Sequence, residues 1–172
     1  MEGDEQIINK VANSSLVTFD LEKYFEPGER ILLDIKEQLY EGLVLREKDF
    51  REFIKNHDWG QYRNKLVAIT CSTDAIVPTW AYMLVAIALK PFAKRIIFGS
   101  LLELEIESYR HALSELEWSS FKDAKVVIKG CSKVDVPIAV YVDVVDRLKP
   151  YANSLMFGEP CSTVPLYKRP KA

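Results

Sequence analysis

Short apolar runs, separated by polar segments that contain proline, set the pattern of this chain. The runs LVAIT and KVVIK are short, rich in β-branched residues and apolar throughout, which predicts buried parallel strands. Each run is followed by a proline, Pro78 or Pro137, and then by an apolar stretch of helical length. Proline is favoured in the first turn of a helix, so a helix is predicted to begin at each of these prolines.

The predicted helices end near Lys90 and Lys149, because Pro91 and Pro150 follow and proline interrupts a helix. A second apolar run comes next in each case, RIIFG or SLMFG, and it ends in glycine. These runs predict two further strands. Additional helices are predicted at about 48–56 and 101–116.

The two stretches that carry these elements share their landmarks at equal spacing. Pro78 and Pro91 are 13 residues apart, as are Pro137 and Pro150, and a phenylalanine follows 7 residues after the second proline in both stretches. The landmarks are offset by 59 or 60 residues. This self-similarity indicates an internal duplication of a helix–strand–helix–strand unit.

The alternation of strands and helices predicts an α/β fold, with a mainly parallel sheet, helices on both faces and two similar halves. We expect a doubly wound sheet in which LVAIT and KVVIK are central neighbours. Residues 48–172 are interpreted as this duplicated domain. Residues 1–47 are interpreted as an N-terminal extension packed on it, forming a single globular unit overall. Within the extension, RILLDIK and LYEGLVL are either strands joined to the sheet or a small cap.

Composition narrows the class of protein. The chain has 172 residues, of which 48% are hydrophobic and 28% charged, and a formal net charge of −2. This is typical of one globular domain, without the basic excess that nucleic-acid binding requires. The most apolar run, 77–89, is too short to cross a bilayer, and the acidic start MEGDEQ is unlike a signal peptide. We therefore predict a cytoplasmic protein with no nucleic-acid or membrane partner.

The only three cysteines, Cys71, Cys131 and Cys161, stand in one recurring phrase: CSTDAIVP, CSKVDVP and CSTVP. Each lies at or just after the carboxyl end of a predicted strand, and ligands bind open α/β sheets at that edge. If the halves pair as expected, Cys71 and Cys131 lie on adjacent strands, roughly 5 Å apart. Three thiolates gathered there would bind zinc, iron or an iron–sulfur cluster. The alternative is that each cysteine is a core residue.

Polar residues near the cysteines are candidates for a fourth ligand or for other polar roles in the site. Carboxylates ligate metals or cap turns, and serine groups hydrogen-bond thiolates or form turns. The candidates are Asp74, Glu159, Ser72, Ser132 and Ser162. No GxGxxG, Walker or GxSxG motif is present in the sequence, so nucleotide binding and a serine nucleophile are not supported.

Four phrases of the chain resemble a bacterial family of uncharacterised proteins, domain of unknown function 2480. The phrases are VANSSLVTFDLEKYFEPGER, GLVLREKDFREFIKNHDW, CSTDAIVPTWAYM and GEPCSTVPLYKR, and the resemblance runs nearly end to end. It implies a single-domain cytosolic protein without an established activity. It also implies a link to iron–sulfur assembly of the sulfur-mobilisation type, and hence iron–sulfur assembly proteins as partners.

Three hypotheses follow. The first is a metal-binding accessory protein, with Cys71, Cys131 and Cys161 as ligands and an exchangeable fourth position. The second is a small-molecule enzyme that uses a bound metal or a low-pKa thiolate at the same edge. The third is a structural or interaction protein whose cysteines are only core. The apolar helix TWAYMLVAIAL is interpreted as buried in the fold or as the interface of a homo-oligomer.

Overall fold

A computed structural model describes residues 16–130, 133–159 and 162–170 of the chain. The described residues form seven strands, four α-helices and several short 3₁₀ turns. The strands are β1 (Leu16–Asp20), β2 (Arg30–Asp34), β3 (Leu66–Thr70), β4 (Arg95–Phe98), β5 (Lys125–Lys129), β6 (Ser154–Glu159) and β7 (Ser162–Lys168); the helices are α1 (Glu47–Asn56), α2 (Thr79–Leu89), α3 (Leu101–Ser114) and α4 (Ile138–Leu148).

The chain divides by its internal contacts into two compact units. Unit 1 comprises Met1–Phe25 and Glu115–Ala172, and unit 2 comprises Glu26–Ser114. The boundary predicted from the sequence, after residue 47, falls within unit 2. Each unit holds one sheet, so the fold is a mixed α/β architecture with mainly parallel strands.

Unit 2 is a three-layer sandwich around the parallel sheet β2-β3-β4. The central strand β3 is buried on both faces, as its continuous apolar run predicts. Val67 and Ile69 pack in one core cluster with residues of α1 and α2. Leu66 and Ala68, which point the other way, pack with Leu104 of α3. Helices therefore cover both faces of this sheet, as predicted.

Unit 1 is built on the sheet β1-β5-β6-β7, in which β7 alone is antiparallel. Helix α4 is amphipathic: Val140, Val144 and Leu148, four residues apart, are fully buried. Phe19 of β1 is 2% exposed and stacks on Trp118, with ring centroids 5.8 Å apart. Strand β1 is thus a structural part of unit 1.

The expected doubly wound sheet, with LVAIT beside KVVIK, is wrong. These two runs are β3 and β5, which belong to different sheets. The position beside each is taken by a strand from the N-terminal region: β1 pairs with β5, and β2 pairs with β3. The N-terminal strands β1 and β2 therefore occupy the positions at which LVAIT and KVVIK had been expected to pair with each other.

The other predicted elements are largely confirmed. RILLD is strand β2, joined to the sheet, whereas LYEGLVL forms no strand and contributes two isolated bridges, Tyr40 with Val44 and Val44 with Ile76. Pro78 and Pro137 are the N-caps of α2 and α4, one position before the helices begin. Both helices have 11 residues and end before the lysine that precedes the second proline.

Candidate functional site

The carboxyl edge of the unit 2 sheet is tied together by Asp34, the last residue of β2. Its Oδ1 accepts hydrogen bonds from the backbone N–H groups of Lys36 at 3.0 Å and Ser72 at 3.1 Å. Burial raises the pKa of Asp34, but hydrogen bonds from Ser72 and Lys36 outweigh it and lower the pKa below its ordinary value. Asp34 therefore acts as an ionised clamp between the end of β2 and the loop after β3.

Cys71 follows β3 directly and is half-buried against the core cluster of unit 2. Its Sγ donates to the carbonyl oxygen of Thr73 at 3.8 Å. Burial raises the pKa of Tyr82 on α2, and repulsion from a deprotonated Cys71 and from the Asp34 carboxylate raises it further. The edge therefore gathers a thiol, a carboxylate and a phenol in one cluster.

The carboxyl edge of the unit 1 sheet is formed by the ends of β1, β5 and β6. Lys129, the last residue of β5, lies 3.9 Å (Nζ to Oε1) from Glu159, the last residue of β6. The backbone N–H of Lys133 donates to Glu22 Oε1 at 3.2 Å, which fastens the chain after β5 to the turn after β1. Three carboxylates stand at this edge or in the adjacent turn, since Asp20 ends β1 and caps that turn.

The hairpin between β6 and β7 depends on Gly158. Its φ is +124°, and a Cβ built there would lie 2.6 Å from the carbonyl oxygen of Ser162. Glu159 and Ser162 pair across the hairpin, with residues 160 and 161 between them. Glycine is required because the two strands approach too closely for any side chain.

The predicted site residues fall at different places. Cys131, Ser132 and Cys161 lie outside the described residues. Cys71 and Ser72 follow β3 in unit 2, where Asp74 is exposed. Glu159 and Ser162, both exposed, flank the hairpin of unit 1. In residues 16–130, 133–159 and 162–170, no group of three His, Cys, Asp or Glu residues could hold a metal ion.

The expected spacing of roughly 5 Å between Cys71 and Cys131 rested on adjacent strands. That premise fails, because β3 and β5 are in separate sheets, and with Cys131 outside the described residues the spacing itself stays a prediction. The strands that precede Cys131 and Cys161 are neighbours, since β5 pairs in parallel with β6. The strands that lead into two of the three predicted ligands, Cys131 and Cys161, thus lie side by side.

An open apolar groove runs along the α-helix beside each sheet, and sequence reasoning missed both. In unit 2 its volume is about 450 Å³ and in unit 1 about 550 Å³. Six lining positions of one groove recur 59 residues later in the other. They are Ile69 and Ile128, Thr79 and Ile138, Tyr82 and Tyr141, Met83 and Val142, Ala86 and Val145, and Phe98 and Phe157.

An edge-to-face aromatic pair shapes each groove. Tyr82 and Phe98 have ring centroids 4.9 Å apart at 73°, and Tyr141 and Phe157 have centroids 5.8 Å apart at 84°. These four residues keep the 59-residue spacing that the prolines show, so the signal was present in the sequence. Their shared role appears only when helix and strand are packed together.

The fold and its edges define an α/β protein with two parallel-sheet units, each with polar residues at the carboxyl edge and an apolar groove beside it. Residues 5–169 match the family described as Protein of unknown function (DUF2480), and the chain belongs to that family. Searches of curated proteins and of solved structures gave no significant match. Among the described residues, no helix is long and apolar enough to span a bilayer.

Proposed function

We propose that the chain is a cytoplasmic metal-binding accessory protein that holds zinc or an iron–sulfur cluster between its Cys131 and Cys161 segments. The observation that carries the proposal is the pairing of β5 with β6. The last residues of these strands, Lys129 and Glu159, come within 3.9 Å of each other. Cys131 follows one strand end by two residues, and Cys161 follows the other by two.

The chemistry of this edge suits a borderline or soft metal. Thiolates are the ligands that zinc and iron–sulfur clusters prefer, and carboxylate oxygens complete many zinc sites. Glu159 and Glu22 supply carboxylates at this edge. Reduced thiols need a reducing compartment, which is the reason for proposing the cytoplasm. The link to iron–sulfur assembly proteins rests on the family resemblance.

Cys71 is the predicted ligand that the proposal needs least. It packs against the core of unit 2 and follows a strand of the other sheet. We therefore expect the Cys131→Ser and Cys161→Ser variants to lose bound metal and the Cys71→Ser variant to retain it. Cys71→Ser is the matched control, because it makes the same Cys-to-Ser change in a similar sequence phrase.

The test is to purify the protein anaerobically without a histidine tag, and to measure zinc, iron, acid-labile sulfide and the visible absorption spectrum. Iron with sulfide and charge-transfer bands identifies a cluster, and stoichiometric zinc without colour identifies a zinc site. If both the Cys131→Ser and the Cys161→Ser variants retain bound metal, the proposal is contradicted. A protein that stays metal-free after anaerobic reconstitution would contradict it as well.

The cluster at the edge of unit 2 favours a second candidate, a small-molecule enzyme that uses the Cys71 thiol. Cys71 and Asp34 lie close enough to influence the pKa of Tyr82, which lines the apolar groove of about 450 Å³. Asp34 replaces Asp74 as the carboxylate of this candidate, because Asp74 is exposed. Alkylation of Cys71 much faster than that of a free thiol supports it. Slow alkylation of all three native thiols in metal-free protein favours the interaction protein with core cysteines.

A further inference from the structure

The outer edge of the unit 2 sheet is formed by β4. Among the described residues, β4 pairs with β3 and with no other strand. The N–H of Gly99 donates to the carbonyl oxygen of Ile69 at 2.9 Å, so residue 99 and, by alternation, Ile97 turn their backbone groups toward β3. The backbone groups of Ile96 and Phe98 consequently point to the outer edge. Such an edge is a template for a further strand.

In unit 1 the corresponding edge is covered by a further strand. β6 occupies the place that β4 occupies in unit 2, and the antiparallel strand β7 covers its outer side. Phe157, which stands 59 residues after Phe98, pairs with Val164 of β7. Val164 and Leu166 then line the groove beside α4. In unit 2 the chain continues from β4 into α3, so the matching edge is left for a strand from elsewhere.

We propose that this strand is β4 of a second copy of the chain, paired antiparallel about a twofold axis at Ile97. Opposite residues of an antiparallel pair share one face of the sheet, which allows Ile97 to face Ile97 of the second copy. Ile96 then faces Phe98 of the second copy. These are the residues whose backbone groups point outward, so they exchange hydrogen bonds, and two three-stranded sheets become one.

The side chains along this edge are suited to burial. On the α2 side, Met83, Ile87 and Phe98 are 58%, 69% and 66% exposed. Exposed apolar side chains that cluster along an unpaired edge mark an interaction surface rather than ordinary surface scatter. The twofold axis sets α2 of one copy beside α2 of the other, which covers these side chains on the same face.

Charge along the edge favours a second copy over an unrelated strand. The surface at the amino end of β4 is lined by Lys90, Lys94, Arg95 and His111. The Glu26 carboxylate forms ion pairs with Lys94 Nζ at 3.2 Å and with an Arg95 guanidinium nitrogen at 2.8 Å. One carboxylate does not offset all the basic side chains, so this end keeps a net positive charge. The surface at the carboxyl end is lined by Glu103, Glu107 and Arg110, and Glu107 pairs with Arg110 at 2.8 Å.

The carboxyl end of β4 therefore carries a net negative charge, from two glutamates and one arginine. Antiparallel pairing about the twofold axis brings the basic end of each copy against the acidic end of the other. The contact is self-complementary, as an isologous interface must be.

Sedimentation equilibrium across a concentration series tests the dimer. We expect the wild-type protein to dimerise, and Phe98→Asp to weaken the dimer about tenfold or more, because it sets a carboxylate in the apolar joint. The matched control is Ile138→Asp, which changes a residue that is 81% exposed in the groove of unit 1. Its dissociation constant should equal that of the wild type. A wild-type protein that stays monomeric overturns the proposal.

Disulfide trapping tests the register. In an Ile97→Cys variant the two new thiols face each other in a non-hydrogen-bonded pair, with Cα atoms about 4.5 Å apart, within disulfide range. In a Phe98→Cys control they are diagonal neighbours at about 7–8 Å, which a disulfide does not span. We expect oxidation to cross-link the first variant alone, through the thiols introduced at position 97, as identified by peptide mass mapping. A dimer in which position 97 does not cross-link contradicts this pairing.

Discussion

Single carboxylates fasten the strands of unit 2. Glu26, whose side chain is 12% exposed, accepts a hydrogen bond from Arg95 Nε at 2.8 Å and lies 3.2 Å from Lys94 Nζ. Burial raises the pKa of Glu26, but the hydrogen bonds and charges of Arg95 and Lys94 outweigh it and lower the pKa below the ordinary 4.5. The ionised carboxylate ties the start of unit 2 to β4.

The stability of unit 2 should consequently depend on Glu26 and on pH. Because the folded-state pKa is lowered, the stabilisation is present above the ordinary pKa and is lost as the pH falls through the folded pKa. We expect Glu26→Gln to reduce the free energy of unfolding by about 1.5–3 kcal/mol near neutral pH. The difference from wild type should shrink in acid, as measured by urea unfolding at several pH values.

The control for Glu26 is Glu29→Gln. Glu29 pairs with Lys65 at 2.8 Å but its side chain is 61% exposed, so screening by water leaves this pair little net effect. Equal destabilisation by both variants would contradict the role given to Glu26.

Gly158 is the second residue on which a local structure depends. We expect Gly158→Ala to destabilise unit 1 by about 1–3 kcal/mol, because the methyl group meets the backbone of Ser162 at a strained φ. Gly130→Ala is the control, since its Cβ would first meet the Phe157 ring at an ordinary 3.5 Å. Thermal unfolding of both variants measures the effect, and equal midpoint temperatures would contradict the requirement for glycine at position 158.

At the scale of elements, the two N-terminal strands complete the two sheets. β1 pairs along its whole length with β5, and β2 pairs with β3 in the same parallel manner. Each N-terminal strand ends in an aspartate, Asp20 or Asp34, which caps the 3₁₀ turn that follows. The region interpreted as an extension is therefore part of both sheets.

Loss of the core residue of β1 should destabilise unit 1 strongly. Phe19 stacks on Tyr24 and Trp118, and we expect Phe19→Ala to cost about 3–5 kcal/mol. Val17 lies on the same strand but is 37% exposed, so Val17→Ala should cost about 1 kcal/mol or less. Chemical denaturation measures both. A small effect of Phe19→Ala would show that β1 is not integral to the fold.

At the scale of the whole molecule, unit 2 is continuous in sequence whereas unit 1 is assembled from two segments. Unit 2 also has its own core on both faces of its sheet. A domain that keeps its core contacts within one segment is able to fold alone.

We therefore expect a fragment of residues 26–114 to fold on its own. It should give a dispersed amide NMR spectrum and a cooperative thermal transition. The control is a fragment of residues 115–172, which lacks β1 and its Phe19, and it should remain largely unfolded. A disordered 26–114 fragment would show that unit 2 depends on the rest of the chain.

Much of the fold could be predicted from local sequence. The runs LVAIT and KVVIK become strands because a β-rich apolar run buries both its faces, and Pro91 and Pro150 end the helices because proline cannot continue them. The recurring aromatic residues Tyr82 and Tyr141 could have revealed the grooves, because they keep the same spacing as the prolines.

The sequence by itself determined the α/β class and the four helices with the strands β2 to β6, because these depend on periodicity and on proline within a few residues; β1 and β7 were not predicted. The tertiary structure alone decided which strands are neighbours. β1 and β2 each pair with strands far along the chain, and a parallel strand carries no local mark of its partner. The spacing of Cys71 from Cys131 depended on that choice, so it could not be read from the cysteine phrases.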